Sequence, residues 1–414
     1  MMTGNCRTVQ TDKMKNSRIV KQILLLSIFL FALFFVACKT SAKGNNLQKK
    51  PDEKQLLATV KKMTDRELAG QMIVCGFTGT ELSPQFKAFL KKYSLSNVIL
   101  FSDNMRTVEQ TRRICSEIQA VVKETTGFEA FVCADQEGGK IVRLPKELLS
   151  LKGASFYAKN KSSADVFKAG VLTAKQLRLC GINVDFAPVM DINSNPKNPI
   201  IGERSYGDKA ATVVEYGFQM ASGLQSGGVV CAVKHFPGHG DTDTDSHLAL
   251  PRVNKTYRQL QQFELVPFKA AVEAKIPIVM TAHIMFPKID SKYPATMSHK
   301  ILTGILREDL GFDGIIITDD LEMAAIRKNF GIVNGALSAI KAGADMVCIS
   351  VYSDGADEIS DAFVKNLSRD RLEESAFRIL RAKASVYGNT QDDYSAEQVT
   401  ALIKDYNSAM RLLQ

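Results

Sequence analysis

The segment GFDGIIITDDLEM, residues 311–323, reads as a buried strand that ends in charge. Gly314 to Thr318 carries no charged side chain, and Asp319 and Asp320 follow it with no spacer. A strand that is apolar at successive rather than alternate positions is buried on both faces, as in a parallel sheet covered by helices. Outward from it, similar short runs recur at Met72–Cys75, Val98–Phe101, Phe131–Ala134, Val184–Ala187, Gly228–Val233, Pro277–Thr281 and Asp345–Ile349. Helical patterns with start signals lie between them. Thr64 with Glu67, and Thr107 with Gln110, predict capping boxes, and Ser83-Pro84 predicts a cap followed by proline at the first helical position. Eight β–α repeats over about 340 residues predict an α/β fold of the (β/α)8 TIM-barrel type, one domain spanning residues 55–390. A doubly wound open sheet is the alternative that the alternation alone leaves.

Composition agrees with a large packed core. The 414 residues are 45% hydrophobic and 23% charged, which excludes a disordered chain, a collagen-like fibre and a disulfide-stapled miniprotein. Lysine and arginine number 53 against 44 aspartates and glutamates, a net +9. Of this, +4 falls in residues 1–37, where Arg7, Lys13, Lys15, Arg18 and Lys21 face only Asp12. The remainder is too weak a bias for nucleic acid, and no aromatic-interleaved basic patch accompanies it.

The first 37 residues read as an address. Lys13 to Lys21 is positive, and Ile23 to Ala37 is almost purely apolar, short for a membrane span and right for a signal-peptide core. An uncleaved anchor helix is the other reading. Phe35-Val36-Ala37-Cys38 resembles a bacterial lipoprotein processing box, with phenylalanine where leucine is usual; Cys38 would be lipidated and anchor the chain outside the cytoplasmic membrane. Residues 38–54 are polar and read as a flexible tether. Residues 391–414 predict a single C-terminal helix. The cysteines after Cys38 sit in strand-like or helical apolar patterns with no close metal spacing, and read as core residues.

Charged residues cluster after the strands: Asp135, Asp185, Asp191, Lys234, His235, His283, Asp319 and Asp320. Burying charge costs stability unless it is paired, so repeated charge at strand ends indicates a catalytic pocket. The densest stretch is KHFPGHGDTDTDSHLALP, residues 234–251. Asp241, Asp243 and Asp245 alternate like a calcium loop, but Ser246 stands where its glycine belongs and Arg252 where its glutamate belongs. His235, His239 and His247 leave a zinc site open. The third reading is a mobile loop on which Asp245 polarises His247 for proton transfer, while His239 and Asp241 knit the loop together. Asp319, or its neighbour Asp320, is placed to attack an anomeric carbon; Asp320 is otherwise a cap for the following helix.

These segments, together with DQEGGKIVR (135–143), GERSYG (202–207), VMTAHIMFP (279–287) and TDDLEM (318–323), resemble family 3 glycoside hydrolases. Within that family they are similar to bacterial β-N-acetylglucosaminidases of the NagZ type, over about residues 57–390. The resemblance implies a single TIM-barrel catalytic domain and retaining, metal-free exo-hydrolysis of terminal β-linked N-acetylglucosamine, with no organic cofactor. It implies Asp319 as nucleophile and His247, paired with Asp245, as general acid/base on a loop, Gly238 to Leu250, that closes over the sugar. Asp135, Arg143, Arg204, Lys234 and His235 would hold the sugar, with Met280 and His283 as further pocket candidates. The expected partner is a small carbohydrate, and the expected state is a monomer held to a membrane by its N-terminal lipid. Another family 3 specificity (β-glucosidase or β-xylosidase), phosphorolysis through the same residues, and an inactive lipid-anchored sugar-binding protein are the alternatives.

Overall fold

Parallel strands pair in sequence order until the eighth meets the first: β1 (Ile73–Cys75), β2 (Asn97–Ile99), β3 (Phe131–Ala134), β4 (Val184–Asp185), β5 (Val230–Phe236), β6 (Ile278–Thr281), β7 (Ile315–Asp320) and β8 (Met346–Ile349). Val74 against Cys348 closes the barrel. The computed structural model describes residues 52–243, 250–384 and 394–414. The signal segment 1–37, Cys38, most of the 38–54 tether, Asp245 and His247 lie outside the described residues.

All eight predicted strands are present, and their limits differ for physical reasons. β5 runs on to Phe236, so Lys234 and His235 lie inside the strand, and β7 includes Asp319 and Asp320. Strand ends that bear charge look like loops in a sequence, yet here Lys234 and His235 are paired, the two aspartates accept hydrogen bonds, and the ladder continues. The Thr64–Glu67 capping box forms, and so does the Ser83 cap ahead of Pro84. Only half of the second box does: Thr107 accepts from the Gln110 N–H, but the Gln110 side chain turns to the N–H of Arg106.

Each crossover carries a helix on the outside of the barrel. Two of them, Ser163–Cys180 and Ala210–Ser226, approach each other through glycine. A Cβ on Gly223 would stand 2.3 Å from the carbonyl oxygen of Phe167, so this contact admits no side chain. The six described cysteines are free and buried, in agreement with their reading as core residues.

The face where the strands begin is a stability layer. Asp345, ahead of β8, is fully buried among Arg307, Arg371 and Arg378. Lys383, on helix Arg369–Ala384, is also fully buried, its Nζ donating to Gln71 Oε1 (3.0 Å), Ser96 O (3.1 Å) and Ser96 Oγ (2.8 Å). None of these partners is a carboxylate, and burial lowers the ammonium from 10.5 to about 7. The folded state then binds fewer protons than the unfolded one between these values, so the lysine's contribution is most favourable above about 10.5 and lost as pH falls to about 7. Lys383→Met should therefore flatten stability over this window, by up to about 1.4 kcal/mol per pH unit, in denaturant titrations at pH 7.5 and 9.5.

Candidate active site

At the opposite face, the ends of β3, β5 and β7 bring the charged residues together. The loop after β3 supplies Asp135 and Glu137, and β5 supplies Lys234, whose Nζ lies 2.7 Å from Asp135 Oδ1 and 2.6 Å from Glu137 Oε1. Arg204 grips Glu137 with two parallel bonds of 2.8 Å, from Nε and from a terminal nitrogen. Arg143 stands 3.8 Å from the other oxygen of Asp135. Burial would raise the Glu137 carboxyl, but Lys234 and Arg204 hold it well below the usual carboxylate range. Burial would lower the Lys234 ammonium, and Asp135 and Glu137 raise it instead. Two carboxylates thus balance two buried cations. Asp185, the third acid here, forms no ion pair among the described residues; burial, with Asp135 and Glu137, pushes its carboxyl well up against the Gln136 N–H and the charge of Lys234.

The β3 loop is shaped by Gln136, whose Oε1 accepts the N–H groups of Arg143 (2.9 Å) and Leu144 (3.1 Å). Its own N–H goes to Asp185 Oδ1 at 2.9 Å, which presents Asp135 and Glu137 on either side of it.

His235 is fixed by the buried Asp191, which accepts from its Nδ1 at 2.6 Å and from its backbone N–H. Nε2 is then left toward Arg204, 3.4 Å away. Asp191 also accepts from the N–H of His239 at 2.6 Å. His239 Nδ1 meets Thr242 Oγ1, and burial followed by the charge of His235 lowers its imidazole to about 4. Among the described residues no group of three His, Cys, Asp or Glu side chains is arranged to hold a metal ion.

The loop after β5 starts out packed against its neighbours. His239, Gly240 and Thr242 are buried, and a Cβ on Gly240 would stand 1.7 Å from the Ile192 carbonyl oxygen. Asn198 donates to His239 O and Thr242 Oγ1, Asn195 to Thr242 O, and Lys255 bridges Asp241 and Glu264. His239 and Asp241 knit this part of the loop, as read from the sequence. The described part of the loop, Gly238 to Thr242, is thus held by neighbours on the β4 and β5 loops.

On β7 the two aspartates separate. Asp320 accepts from the N–H groups of Glu322 (3.1 Å) and Ser350 (3.2 Å) and from the Ser350 hydroxyl. It ties β7 to β8 and does not cap a helix as expected; the next helix, Ala324–Arg327, begins after Met323 with no side-chain cap. Asp319 Oδ1 accepts only the Asp320 N–H, at 2.8 Å, and Oδ2 has no protein donor among the described residues. Burial would raise its carboxyl, but His235, His283, the Asp320 N–H and Lys234 outweigh burial and hold it below the ordinary value. His283 places Nδ1 2.8 Å from Thr296 Oγ1 and Nε2 3.0 Å from the Asp320 carbonyl oxygen, so it braces the β7 end through both ring nitrogens. Met280 is buried in β6 as part of the hydrophobic core.

Asp135, Arg143, Arg204, Lys234, His235 and Asp319 therefore stand together at one end of the barrel. Glu137 was missed as a member of the site, and Asp191, read only as one of the strand-end charges, was not assigned its partner His235. Nothing local in the sequence singles out Glu137, because the need for a second carboxylate shows only once Lys234 and Arg204 meet in one pocket.

The chain matches the model of the glycosyl hydrolase family 3 N terminal domain over residues 63–382. It is 33% identical over 340 residues to the beta-hexosaminidase A of Pseudoalteromonas piscicida, covering 75% of this chain and 57% of that protein. The chain thus spans little more than half the length of that relative. It is 30% identical over 315 residues to the beta-hexosaminidase of Methylobacillus flagellatus, covering 75% of this chain and 87% of the other. Among solved structures, a family 3 beta-N-acetylglucosaminidase from Paenibacillus superposes with a TM-score of 0.77 at 34% identity, covering 83% of this chain and 68% of that one.

Proposed function

This chain belongs to glycosyl hydrolase family 3, and from that premise we propose that it removes terminal non-reducing β-linked N-acetylglucosamine by retaining exo-hydrolysis. The observation that carries the reading is Asp319: an ionised carboxylate at the mouth of the barrel, with one oxygen that meets no donor among the described residues, beside a neighbour whose carboxyl oxygens both accept hydrogen bonds. Asp319 attacks the anomeric carbon and the glycosidic bond breaks, leaving a glycosyl ester. His247, polarised by Asp245, gives its proton to the departing oxygen, then takes one from the water that cleaves the ester. Asp135, Arg143, Arg204, Lys234 and His235 hold the sugar. Peptidoglycan fragments, chitooligosaccharides and other glycans carry the required terminal residue.

The names of the relatives support the N-acetyl sugar over plain glucose. The test is chromophore release from p-nitrophenyl β-N-acetylglucosaminide beside the β-glucoside, with and without added phosphate. Hydrolysis confined to the N-acetyl sugar and indifferent to phosphate is expected. Preference for the glucoside, or acceleration by phosphate, would assign the pocket to another branch of the family; binding without turnover of either would make it a sugar-binding protein.

We also propose that the chain is lipid-anchored at Cys38 on the outer side of the cytoplasmic membrane, from the positive, apolar and Val-Ala-Cys order of residues 13–38. Labelled palmitate should enter the wild-type chain in a bacterial host and not Cys38→Ala. Equal labelling of the two would sink the assignment.

A further inference from the structure

The C-terminal helix, Ala396–Leu413, lies beyond the residues that match the family model. Ser395 caps it, in a box closed by Gln398. Its apolar face runs through Val399, Ile403, Tyr406 and Met410, with Met410 fully buried. This packing explains why the helix docks, but not what its polar residues do there. Asn407, on the same helix, uses both ends of its amide on one short stretch of the loop after β3. Its Oδ1 accepts the Leu149 N–H at 2.7 Å, and its Nδ2 donates to the Glu147 carbonyl oxygen at 2.7 Å. Gln414 adds a bond to the Ser150 carbonyl oxygen at 2.6 Å.

That stretch leads straight to the site. Ser150 Oγ accepts from Gln136 Nε2 at 3.1 Å, and the Gly139 N–H donates to the Leu151 carbonyl oxygen at 2.9 Å. Gln136 is the residue between Asp135 and Glu137, and its other side-chain atom holds Arg143 and Leu144. One hydrogen-bonded path therefore joins the helix to the pair of carboxylates on Lys234. From the inner side Gln176 Nε2 donates to the Leu149 carbonyl oxygen at 3.0 Å, and the Glu147 carboxylate accepts the Val108 N–H at 2.5 Å.

We propose that Asn407 is a positioning residue: it clamps residues 147–150 so that the C-terminal helix sets where Asp135 and Glu137 stand in the sugar pocket. The proposal rests on the reading of that loop as sugar-binding. A clamp of this kind acts on ground-state and transition-state binding alike, so its loss shows in KM and leaves kcat alone.

The experiment uses the chain from residue 39 onward, with p-nitrophenyl β-N-acetylglucosaminide as substrate and backbone hydrogen exchange as a second readout. Asn407→Ala should raise KM about three- to tenfold, the worth of about one net hydrogen bond, with kcat within about twofold. Exchange at the Leu149 amide should accelerate. Leu412→Ala, on the 82% exposed side chain of the same helix, should change neither. Asp135→Ala separates the two layers of the argument. If it raises KM while Asn407→Ala does not, the clamp is overturned. If Asp135→Ala leaves KM unchanged, the sugar-binding reading has failed, and the Leu149 exchange rate alone then decides whether Asn407 is a clamp.

Discussion

Asp319→Ala is expected to lower kcat by roughly 10^4-fold or more while the protein stays folded, the scale on which loss of a covalent nucleophile is felt. The carboxylate sits at the end of β7 with His235, His283 and Lys234 holding it ionised, so the wild-type group is ready to attack without a base. On the proposed mechanism its removal takes away the atom that would bond to the sugar, and the adjacent carboxylate is engaged elsewhere. Asp320, adjacent in sequence, is committed to Ser350 and Glu322 and carries a carboxyl raised first by burial. Azide should restore turnover to the alanine variant by entering the vacated space and giving a glycosyl azide of inverted configuration. Asp320→Asn should act differently, loosening the β7–β8 junction and lowering stability, with no rescue by azide. A variant at Asp319 that kept a tenth of wild-type activity would exclude it as nucleophile.

Asp345→Ala should be the most destabilising single change at the other end of the barrel. One oxygen of this buried carboxylate accepts from Ser375 (3.1 Å) and Arg378 (3.1 Å), with Arg371 at 3.7 Å. The other accepts from the Ile316 N–H (2.9 Å) and from Arg307. Alanine leaves three guanidinium groups converging on an empty space, and a buried pair broken from one side costs about 3–5 kcal/mol. Glu374 still pairs with Arg378, so the loss should not exceed that range. Chemical denaturation reads it directly: a midpoint within about 1 kcal/mol of wild type would mean that solvent reaches this layer and screens it.

The barrel was legible in the sequence because each strand is a short apolar run bounded by charge or glycine, and that pattern survives without knowledge of neighbours. Asp135, Lys234, His235 and Asp319 were legible for the related reason that charge at the end of a buried strand needs a purpose. What escaped depended on partners distant in sequence. Glu137 reads as one more polar loop residue until Arg204, far along the chain, is seen to grip it. Asp191 is ambiguous until β5 brings His235 onto it. The two aspartates of β7 cannot be ranked from spacing, because what separates them is a serine at the end of β8. Met280 lies in a motif-like segment, and the structure places its side chain in the buried cluster of the barrel.

A covalent ester on Asp319 distinguishes the proposed mechanism from direct displacement by water. The most direct measurement is the anomeric configuration of the first N-acetylglucosamine released, followed by proton NMR in the first minutes before mutarotation. Two successive displacements at the anomeric carbon predict that the β-anomer appears first. Initial release of the α-anomer would mean a single displacement by water, and would contradict the account.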